Sequence, residues 1–226
     1  MSVPGLVSVV IPAYNVERFI GEAIASVLAQ DYPLTEVIAV DDGSTDATAA
    51  AISRFATVRR LSQPNRGVSA ARNAGTAVAE GEFIAFLDAD DLWEPAKVRL
   101  QTSYLGEHPE VGVVLCGQRH ITAPEESIQH DPTEGPSVVP SSWMVRATVL
   151  AAVGGFDEGK RVTEDLDWLI RARDKAVKMY TLPQILLTKR ARVGSLTAQH
   201  ELTRETLVGS LRASVLRKRA SEPSDG

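Results

Sequence analysis

The chain has few of the features that mark a secreted, disulfide-linked or membrane-spanning protein. Among its 226 residues there is one cysteine, Cys116, so no disulfide can form within the chain. Its position in the apolar run VGVVLC predicts a buried structural thiol. The N-terminus has no basic region and only a short apolar run, and no segment approaches the roughly 20 apolar residues of a membrane span. We therefore expect a soluble, cytoplasmic protein.

Several common ligand-binding motifs are also missing. The 4 histidines are not paired at metal-ligand spacing. The chain contains neither a GxxxxGK[ST] loop nor a GxGxxG loop, which excludes the two commonest glycine-rich phosphate-binding signatures. The formal net charge is -5, so the whole-chain charge gives no indication of binding to nucleic acid. We expect no nucleic-acid partner.

What the sequence does contain is an alternation of apolar runs and amphipathic segments. Hydrophobic residues make up 44% of the chain, enough for one domain with a substantial core. Strands are predicted at 6–11, 36–40, 57–61, 82–87, 111–116 and 184–188, and helices at 17–30, 46–55, 68–79, 95–105, 146–153 and 163–176. The polar, proline-containing stretch 117–140 predicts a long connection with one short strand. Strands that alternate with helices indicate an α/β fold with a mainly parallel sheet.

Polar turns follow the first four predicted strands, as PAYN, DDGS, QPNRG and DADD. Ligands of open α/β sheets bind beyond the carboxyl ends of the strands, so these turns are the candidate site. Asp88, Asp90 and Asp91 would raise one another's pKa unless a cation lies among them. Mg²⁺ and Mn²⁺ prefer oxygen ligands and bind through one or two carboxylates plus phosphate oxygens. The alternative is a turn in which the aspartates only cap the next helix.

Six motifs in this order resemble the family 2 glycosyltransferases, which are inverting enzymes of the GT-A fold: VSVVIPAYN, VDDGSTD, PNRGVSAARNAG, FLDADD, GGFDE and EDLDW. The match runs from about residue 7 to residue 175. It implies a Rossmann-like, mainly parallel sheet flanked by helices, a nucleotide-activated sugar donor, and Mn²⁺ or Mg²⁺ as cofactor. The donor expected first is a UDP-sugar, with GDP- and TDP-sugars as alternatives. Residues 1–195 would form one domain, with a nucleotide-sugar half at about 1–116 and an acceptor half at about 117–195.

The resemblance assigns donor-binding roles to residues in the first half of the chain. Pro12, Tyr14 and Asn15 match the strand tip that borders the base. Asp42 matches the carboxylate that accepts hydrogen bonds from the uracil or its surroundings, and Arg72 matches an arginine near the base and phosphates. The alternative for Asp42 is a turn aspartate that caps the next helix. The alternative for Arg72 is a place on a solvated helix face.

The resemblance also interprets the acidic turn. Asp88, Asp90 and Asp91 match a cluster that contacts the ribose and the metal ion. Asp88 and Asp90 are assigned to donor binding, and Asp90 and Asp91 are assigned to the metal.

A catalytic carboxylate is expected in the segment TEDLDW, residues 163–168. Inverting transfer is a single in-line displacement, so one base that takes the acceptor's proton suffices. Asp165 matches the position of that base, and Glu164 and Asp167 are expected to point elsewhere on the helix. The alternative is that acidic residues stand in a first helical turn because the helix dipole favours them there.

Two further residues are assigned on the acceptor side. Trp143 matches a face beneath the donor sugar or the acceptor, with a place in the core as its alternative. Arg192, with Arg190 beside it, lies where the family often places a basic residue on a loop that closes near the phosphates.

Residues 196–226 are predicted to form a C-terminal helix with a frayed tail. Its apolar stripe and terminal basic residues fit three partners. Packing on its own domain is the expected one, and pairing with a second subunit as a homodimer is an alternative. Peripheral contact with the inner face of a membrane, near a lipid-linked acceptor, is another alternative. The acceptor is expected to offer a hydroxyl group, on a sugar, a lipid-linked saccharide, a peptide or a small molecule.

Two rival functions follow from the same pattern. A sugar nucleotidyltransferase would need a glycine- and arginine-rich loop after the first strand, and PAYNVERF contains no glycine. A catalytically inactive nucleotide-sugar-binding module is expected to lack some of the carboxylates, whereas Asp42, Asp90 and Asp165 are all present. The absence of a QxxRW motif favours transfer of a single sugar over polymer synthesis.

Overall fold

A computed structural model of the chain describes residues 2–122, 134–160, 162–191 and Ser214. In these parts of the chain the strands are β1 Val3–Ala13, β2 Thr35–Asp41, β3 Val58–Ser62, β4 Gly81–Phe86, β5 Leu92–Trp93, β6 Val111–Thr122, β7 Glu134–Pro136, β8 Met144–Arg146 and β9 Lys178–Ala191. The helices are α1 Ile20–Leu28, α2 Thr48–Ile52, α3 Val68–Ala77, α4 Lys97–Glu107, α5 Ala147–Val153 and α6 Glu164–Asp174, with a 3₁₀ turn at Pro140–Ser142.

All nine of these strands belong to one sheet, in the order β3-β2-β1-β4-β8-β6-β9-β5, with β7 beside β6. The parallel arrangement predicted from the sequence is confirmed for β1 to β4. Beyond β4 the sheet is mixed, because β8 lies antiparallel to both β4 and β6. The strand β8 has 3 residues and follows the 3₁₀ turn directly, so no crossover helix is needed to place it.

The core has two layers, one on each face of the sheet. Val7, Val9 and Ile11 of β1 pack with apolar residues of α1, α2 and α4. Val10, between them, packs on the other face with residues of α3, α5 and α6. Successive side chains of a strand point to opposite faces, so a sheet covered on both sides needs a continuous apolar run. Cys116 is buried in the first layer, as predicted.

Helix α3 approaches the sheet unusually closely, and its small residues explain why. A side chain at Gly75 would place its Cβ 2.4 Å from Val10 Cγ1. Ala70 and Ala71 of the same helix are buried against the sheet. This close packing holds Arg72, one residue along the helix, in the protein interior.

Two strands are longer than the sequence pattern predicts. β6 and β9 pair in parallel through Ile121 and Arg190, so the connection expected to begin at 117 is strand as far as 122. The sequence pattern did not predict this extension, because its residues are polar and lack the apolar pattern of a buried strand. At the end of the sheet these polar side chains form hydrogen bonds with one another. Arg119 Nε, for example, donates to Thr188 Oγ1 at 2.9 Å.

The predicted C-terminal helix lies outside the described residues except for Ser214, which is helical and buried. Ser214 Oγ donates a hydrogen bond of 2.8 Å to Asp174 Oδ1 at the end of α6. This contact places Ser214 itself against the domain. No helix in the described ranges has both the length and the apolar character that crossing a bilayer requires.

Candidate active site

The polar turns predicted from the sequence lie along one edge of the sheet. Ala13 at the end of β1 is paired with Asp41 at the end of β2. The Asp42 amide then donates to Ala13 O at 2.8 Å, and the Leu87 amide after β4 donates to Val10 O at 3.1 Å. The carboxyl ends of three neighbouring strands therefore open on the same side, as the position of ligand sites in such sheets requires.

The turn after β1 is tied to the turn after β2 by Asn15. Asn15 has a left-handed backbone with φ of 49°, and asparagine tolerates that conformation better than most residues. Its Oδ1 accepts a hydrogen bond of 2.8 Å from the Thr45 amide, and its own amide donates to Ser44 Oγ. Pro12 is buried in β1 while Tyr14 is 47% exposed. Tyr14 and Asn15 are thus both exposed, and the side-chain oxygen of Asn15 is already bonded to the Thr45 amide.

Asp42 shapes the loop that follows β3. Its carboxylate accepts hydrogen bonds from Gln63 Nε2 at 2.7 Å, from the Arg66 amide at 3.0 Å and from the Gly67 amide at 2.8 Å. The amide of Thr48, the first residue of α2, donates instead to Oδ1 of Asp46 at 2.9 Å. Asp42 thus holds the loop 63–67 in place beside the expected base pocket.

Arg72 connects the acidic turn to helix α6. Its Nη2 lies 2.7 Å from Asp88 Oδ1 and its Nη1 lies 2.7 Å from Glu164 Oε1. The guanidinium is almost fully buried, which excludes the solvated-face alternative. Burial alone would lower the pKa of Arg72, but the two carboxylates raise it above its ordinary value. The arginine is therefore a permanent cation between two acidic elements.

Asp88 and Asp91 of the acidic turn are both engaged inside the protein. Burial opposes the ionisation of Asp88, yet Arg72 and Lys189 hold the pKa of that carboxyl below its usual range. Asp91 is fully buried, and its carboxylate accepts hydrogen bonds from Ser141 Oγ and from the Arg190 amide. Burial raises the pKa of Asp91 to about 7, against the opposing charge of Lys189.

The acidic turn fits a metal ion that arrives with its phosphate ligands. No group of three or more His, Cys, Asp or Glu side chains within the described ranges could hold a metal ion alone. Asp88 is shared with Arg72, the Asp91 carboxylate is bonded inside the protein, and Asp90 is half-buried. Mg²⁺ typically takes one or two protein carboxylates plus substrate phosphates, so Asp90 with Asp88 is a sufficient donor set. A cage made only of protein ligands does not fit.

The three acidic residues at the start of α6 have separate surroundings. Asp165 accepts a hydrogen bond from the Leu166 amide, and burial, with Glu164 as a like charge, raises the pKa of Asp165 to about 6. Glu164 faces Arg72. Asp167 pairs with Arg171 at 2.8 Å and Lys160 at 3.3 Å, which lower the pKa of its carboxyl although burial opposes them. The pKa of Asp165 is therefore raised, whereas that of Asp167 is lowered.

Trp143 is a core residue in this structure. It is fully buried, stacks with Phe156, packs at a tilt against Trp168, and donates its indole N–H to Val138 O at 3.0 Å. The assignment of Trp143 to a face beneath the sugar is therefore corrected in favour of its alternative. The other acceptor-side residue assigned, Arg192, lies outside the described ranges, whereas Arg190 pairs with Glu22 beside the Phe19 ring.

Sequence reasoning missed two residues at the acidic turn, Ser141 and Lys189. Ser141 Oγ lies 3.0 Å from both the Asp88 amide and Asp91 Oδ2. Lys189 Nζ lies 3.7 Å from Asp91 Oδ2, and although burial lowers the pKa of Lys189, the aspartates of the turn raise it overall. Neither residue belongs to a local motif, because each meets the turn from a distant part of the chain.

The family is shown by comparison with known proteins. The sequence model described as "Glycosyl transferase family 2" matches residues 8–154. The chain therefore belongs to glycosyl transferase family 2, which confirms the resemblance inferred from the motifs and makes the nucleotidyltransferase rival untenable.

A curated relative and two solved structures agree with this. The chain is 40% identical over 103 residues to the Escherichia coli UDP-Glc:alpha-D-GlcNAc-diphosphoundecaprenol beta-1,3-glucosyltransferase WfgD, covering 44% of this chain and 41% of WfgD. TarS of S. aureus in complex with UDP-GlcNAc superposes with a TM-score of 0.76 at 22% identity, over 93% of this chain and 66% of TarS. The Pyrobaculum calidifontis mannosyltransferase PcManGT, in complex with GDP-Man and Mn²⁺, superposes with a TM-score of 0.71 at 23% identity, over 93% and 64%.

These structural matches show the GT-A fold, which confirms the fold predicted from the sequence. The chain spans between 41% and 63% of the length of three curated relatives that it matches. Their substrates and partners accordingly bear on this chain only as proposals.

Proposed function

We propose that this chain is an inverting glycosyltransferase that moves one sugar from a nucleotide-diphosphate sugar to a hydroxyl group. The observation that carries the proposal is the joining of the acidic turn to the start of α6 through Arg72. This link brings two groups that such a reaction needs to one end of the sheet: carboxylates for a metal–diphosphate, and Asp165 with a raised pKa. A structural ion pair alone would not account for the raised pKa of Asp165, because the charge of Arg72 acts to lower it.

The donor would lie across the ends of β1, β2 and β4. Tyr14 and the Asp42-bonded loop 63–67 would border the base, with Pro12 and Asn15 shaping the turn beneath them. A UDP-sugar is the donor proposed first. Its support is the UDP-GlcNAc complex of TarS and the name of WfgD, while the GDP-Man complex of PcManGT makes a GDP-sugar the second choice.

Asp90 and Asp88 would hold Mn²⁺ or Mg²⁺ together with the diphosphate. The ion, when bound, would neutralise the charge that develops on the leaving diphosphate. Asp91, assigned to the metal from its motif, is proposed here to anchor the turn instead, because its carboxylate is bonded to Ser141 and Arg190 inside the protein.

Asp165 would take the proton of the acceptor hydroxyl as that oxygen attacks the anomeric carbon. A general base works best when its pKa lies near the working pH, and burial brings Asp165 to about 6. Glu164 would not compete for this role, because its charge is committed to Arg72 at 2.7 Å. The acceptor is proposed to be a hydroxyl-bearing molecule, with a lipid-linked saccharide supported by the name of WfgD.

A thermal-shift panel tests this function. UDP-Glc, UDP-GlcNAc and GDP-Man are compared, each with Mn²⁺ and with chelator, and UTP serves as the control nucleotide. A ligand present at about 100 times its Kd stabilises the folded state by about 2.7 kcal/mol. For a domain of this size we expect a rise in Tm of several degrees, on the order of 5–10 °C, for one nucleotide sugar with Mn²⁺. No rise with any of them, or a larger rise with UTP, would contradict the proposal.

The inactive-module alternative predicts the same binding without turnover. The two alternatives are distinguished by measuring the slow release of UDP from whichever nucleotide sugar binds. Water or an added saccharide serves as the acceptor. Release above that of the Asp165→Asn variant supports an active transferase, and equal release by both proteins supports the inactive module.

A further inference from the structure

Ser141 meets the acidic turn at three points. Its Oγ accepts a hydrogen bond of 3.0 Å from the Asp88 amide, and the same hydroxyl donates to Asp91 Oδ2 at 3.0 Å. Its carbonyl oxygen accepts a hydrogen bond of 2.8 Å from Trp93 Nε1 in β5. Ser141 thus contacts the first residue of the turn, the last residue of the turn and the strand that follows.

The turn itself is short and closed. The Asp91 amide donates to Asp88 O at 3.0 Å, so Asp90 lies within a turn whose two end residues both bond to Ser141. Ser141 is fully buried in the 3₁₀ turn Pro140–Ser142, which leads directly into β8. The serine therefore joins the donor-side turn to the part of the chain that leads to α6.

The Asp91 carboxylate is also bound by β9. Its Oδ1 accepts the Arg190 amide at 3.1 Å, and Lys189 Nζ lies 3.7 Å from its Oδ2. Ser141 and β9 together hold the Asp91 carboxylate in its position. The orientation of Asp88 and Asp90 relative to the sheet follows from that position, because a turn of four residues has little freedom once both of its ends are fixed.

We propose that Ser141 is a positioning residue that fixes the acidic turn in the geometry in which Asp88 and Asp90 receive a divalent cation with a nucleotide diphosphate. The inference rests on the proposed function, which supplies the cation and the diphosphate. Ser141 touches neither of them in this account. Groups that orient metal-binding carboxylates commonly change metal affinity by about 10- to 100-fold when they are removed.

Ser142 provides a matched control. It is the next residue in the same 3₁₀ turn and is also fully buried. Its hydroxyl donates to Val139 O at 2.7 Å, within its own loop. Ser142→Ala therefore removes a buried hydroxyl at the same place in the fold without removing a bond to the acidic turn.

The experiment measures the affinity for UDP by calorimetry, with Mn²⁺ and with chelator, for the whole chain and both variants. We expect Ser141→Ala to reduce the gain in UDP affinity that Mn²⁺ provides by about 10-fold or more. UDP affinity in chelator should change less than about twofold, because the base pocket near Asp42 is untouched. Ser142→Ala should keep the full gain. The UDP affinity in chelator and the Tm show whether each variant is folded. If Ser141→Ala does not fold, Ser141→Cys replaces it, because a thiol is similar in size to the hydroxyl but forms only weak hydrogen bonds.

An unchanged Mn²⁺ gain in Ser141→Ala, or an equal loss in Ser142→Ala, would overturn the positioning role. A loss of UDP affinity of the same size with and without Mn²⁺ would also overturn it, because that pattern reports general loosening of the fold. A wild-type chain that binds UDP equally well with Mn²⁺ and with chelator would overturn the proposed metal dependence itself, which distinguishes that failure from failure of the positioning role.

Discussion

Arg72 Nη1 lies 2.7 Å from Glu164 Oε1, although the two residues are 92 positions apart in the chain. The same guanidinium bonds Asp88 through its other terminal nitrogen. One buried cation therefore sets the position of the acidic turn and of the helix that carries Asp165 relative to each other. Because Glu164 precedes Asp165 directly, the contact also fixes the charge that the proposed base experiences.

Replacing Arg72 by Met leaves two buried carboxylates without their cation while keeping much of the side-chain volume. We expect the free energy of unfolding to fall by about 3–5 kcal/mol, which is the usual cost of removing one partner from a buried ion pair. The control is Arg66→Ala, since Arg66 pairs with Glu158 at 2.7 Å at the surface. Solvent screens that pair, so its loss should cost less than about 1 kcal/mol. Urea denaturation measures both, and equal effects would contradict the bridging role.

The activity of the enzyme should depend on the ionisation of Asp165. The pKa of this carboxyl is raised to about 6 by burial and by Glu164, and only the ionised form can take a proton. We therefore expect kcat/KM to fall about tenfold per pH unit below about 6 and to level off above it. Asp165→Asn should lower turnover by about 10²–10⁴-fold with little change in donor affinity.

The neighbour of the base supplies a finer test of the same titration. Glu164→Gln removes a negative charge that raises the pKa of Asp165, so the acid limb of the pH profile should move to lower pH. Asp167→Asn is the control, because Asp167 is paired with Lys160 and Arg171. If Glu164→Gln loses turnover as Asp165→Asn is expected to, while Asp165→Asn remains active, the base has been assigned to the wrong carboxylate.

The inward position of Asp91 predicts a weak response to a neutral substitute. Asp91→Asn keeps an oxygen that can accept the Arg190 amide and an amide that can bond Ser141. We expect Mn²⁺ to improve UDP affinity in this variant within about threefold of the wild-type gain, because an anchoring residue keeps its hydrogen bonds. If Mn²⁺ no longer improved the UDP affinity of this variant, Asp91 would be a metal ligand after all. Mn²⁺-dependent calorimetry of UDP measures it.

Lys97 should make stability depend on pH in the alkaline range. Its ammonium is fully buried, lies 3.8 Å from the centre of the Trp93 ring and donates to Gln101 Oε1, and burial lowers its pKa to about 8. Between that value and the ordinary value of about 10.4, the unfolded chain holds a proton that the folded chain has lost, so stability rises with pH. The wild type should therefore gain stability relative to Lys97→Met from pH about 8 to about 10. Parallel curves for the two proteins would show that Lys97 keeps its ordinary pKa.

Much of the donor half could be predicted because its signals are local. Each of β1, β2 and β4 is a continuous apolar run, and parallel strands place the turns that follow them at one edge. The identities of Asp42, Asp90 and Asp165 as candidate residues came from those turns and from the motif order. Even so, the partners of Asp42 were not predictable, since they lie in a loop 21 to 25 positions further along the chain.

The remaining features depend on contacts between distant parts of the chain. The local sequence around Trp143 is compatible with a place in a sugar pocket and with a place in the core. Only its packing against Phe156 and Trp168 shows that it lies in the core. The strands β5 and β8 have 2 and 3 residues, too few to show a periodicity. Ser141 carries no local signal at all, because its bonds to Asp88 and Asp91 cross about 50 residues.

The measurement that tests the central claim most directly is the calorimetric affinity for UDP with Mn²⁺ and with chelator, for the wild type and for Asp90→Asn. Asp90 is a half-buried carboxylate within the acidic turn, and the proposed function makes it the group that joins the metal to the diphosphate. We expect the wild type to bind UDP at least about 10-fold more tightly with Mn²⁺. Asp90→Asn should bind with one affinity in both conditions, equal to that of the wild type in chelator. Equal affinities with and without Mn²⁺ in the wild type, or a full Mn²⁺ effect in Asp90→Asn, would contradict metal-assisted donor binding at this turn.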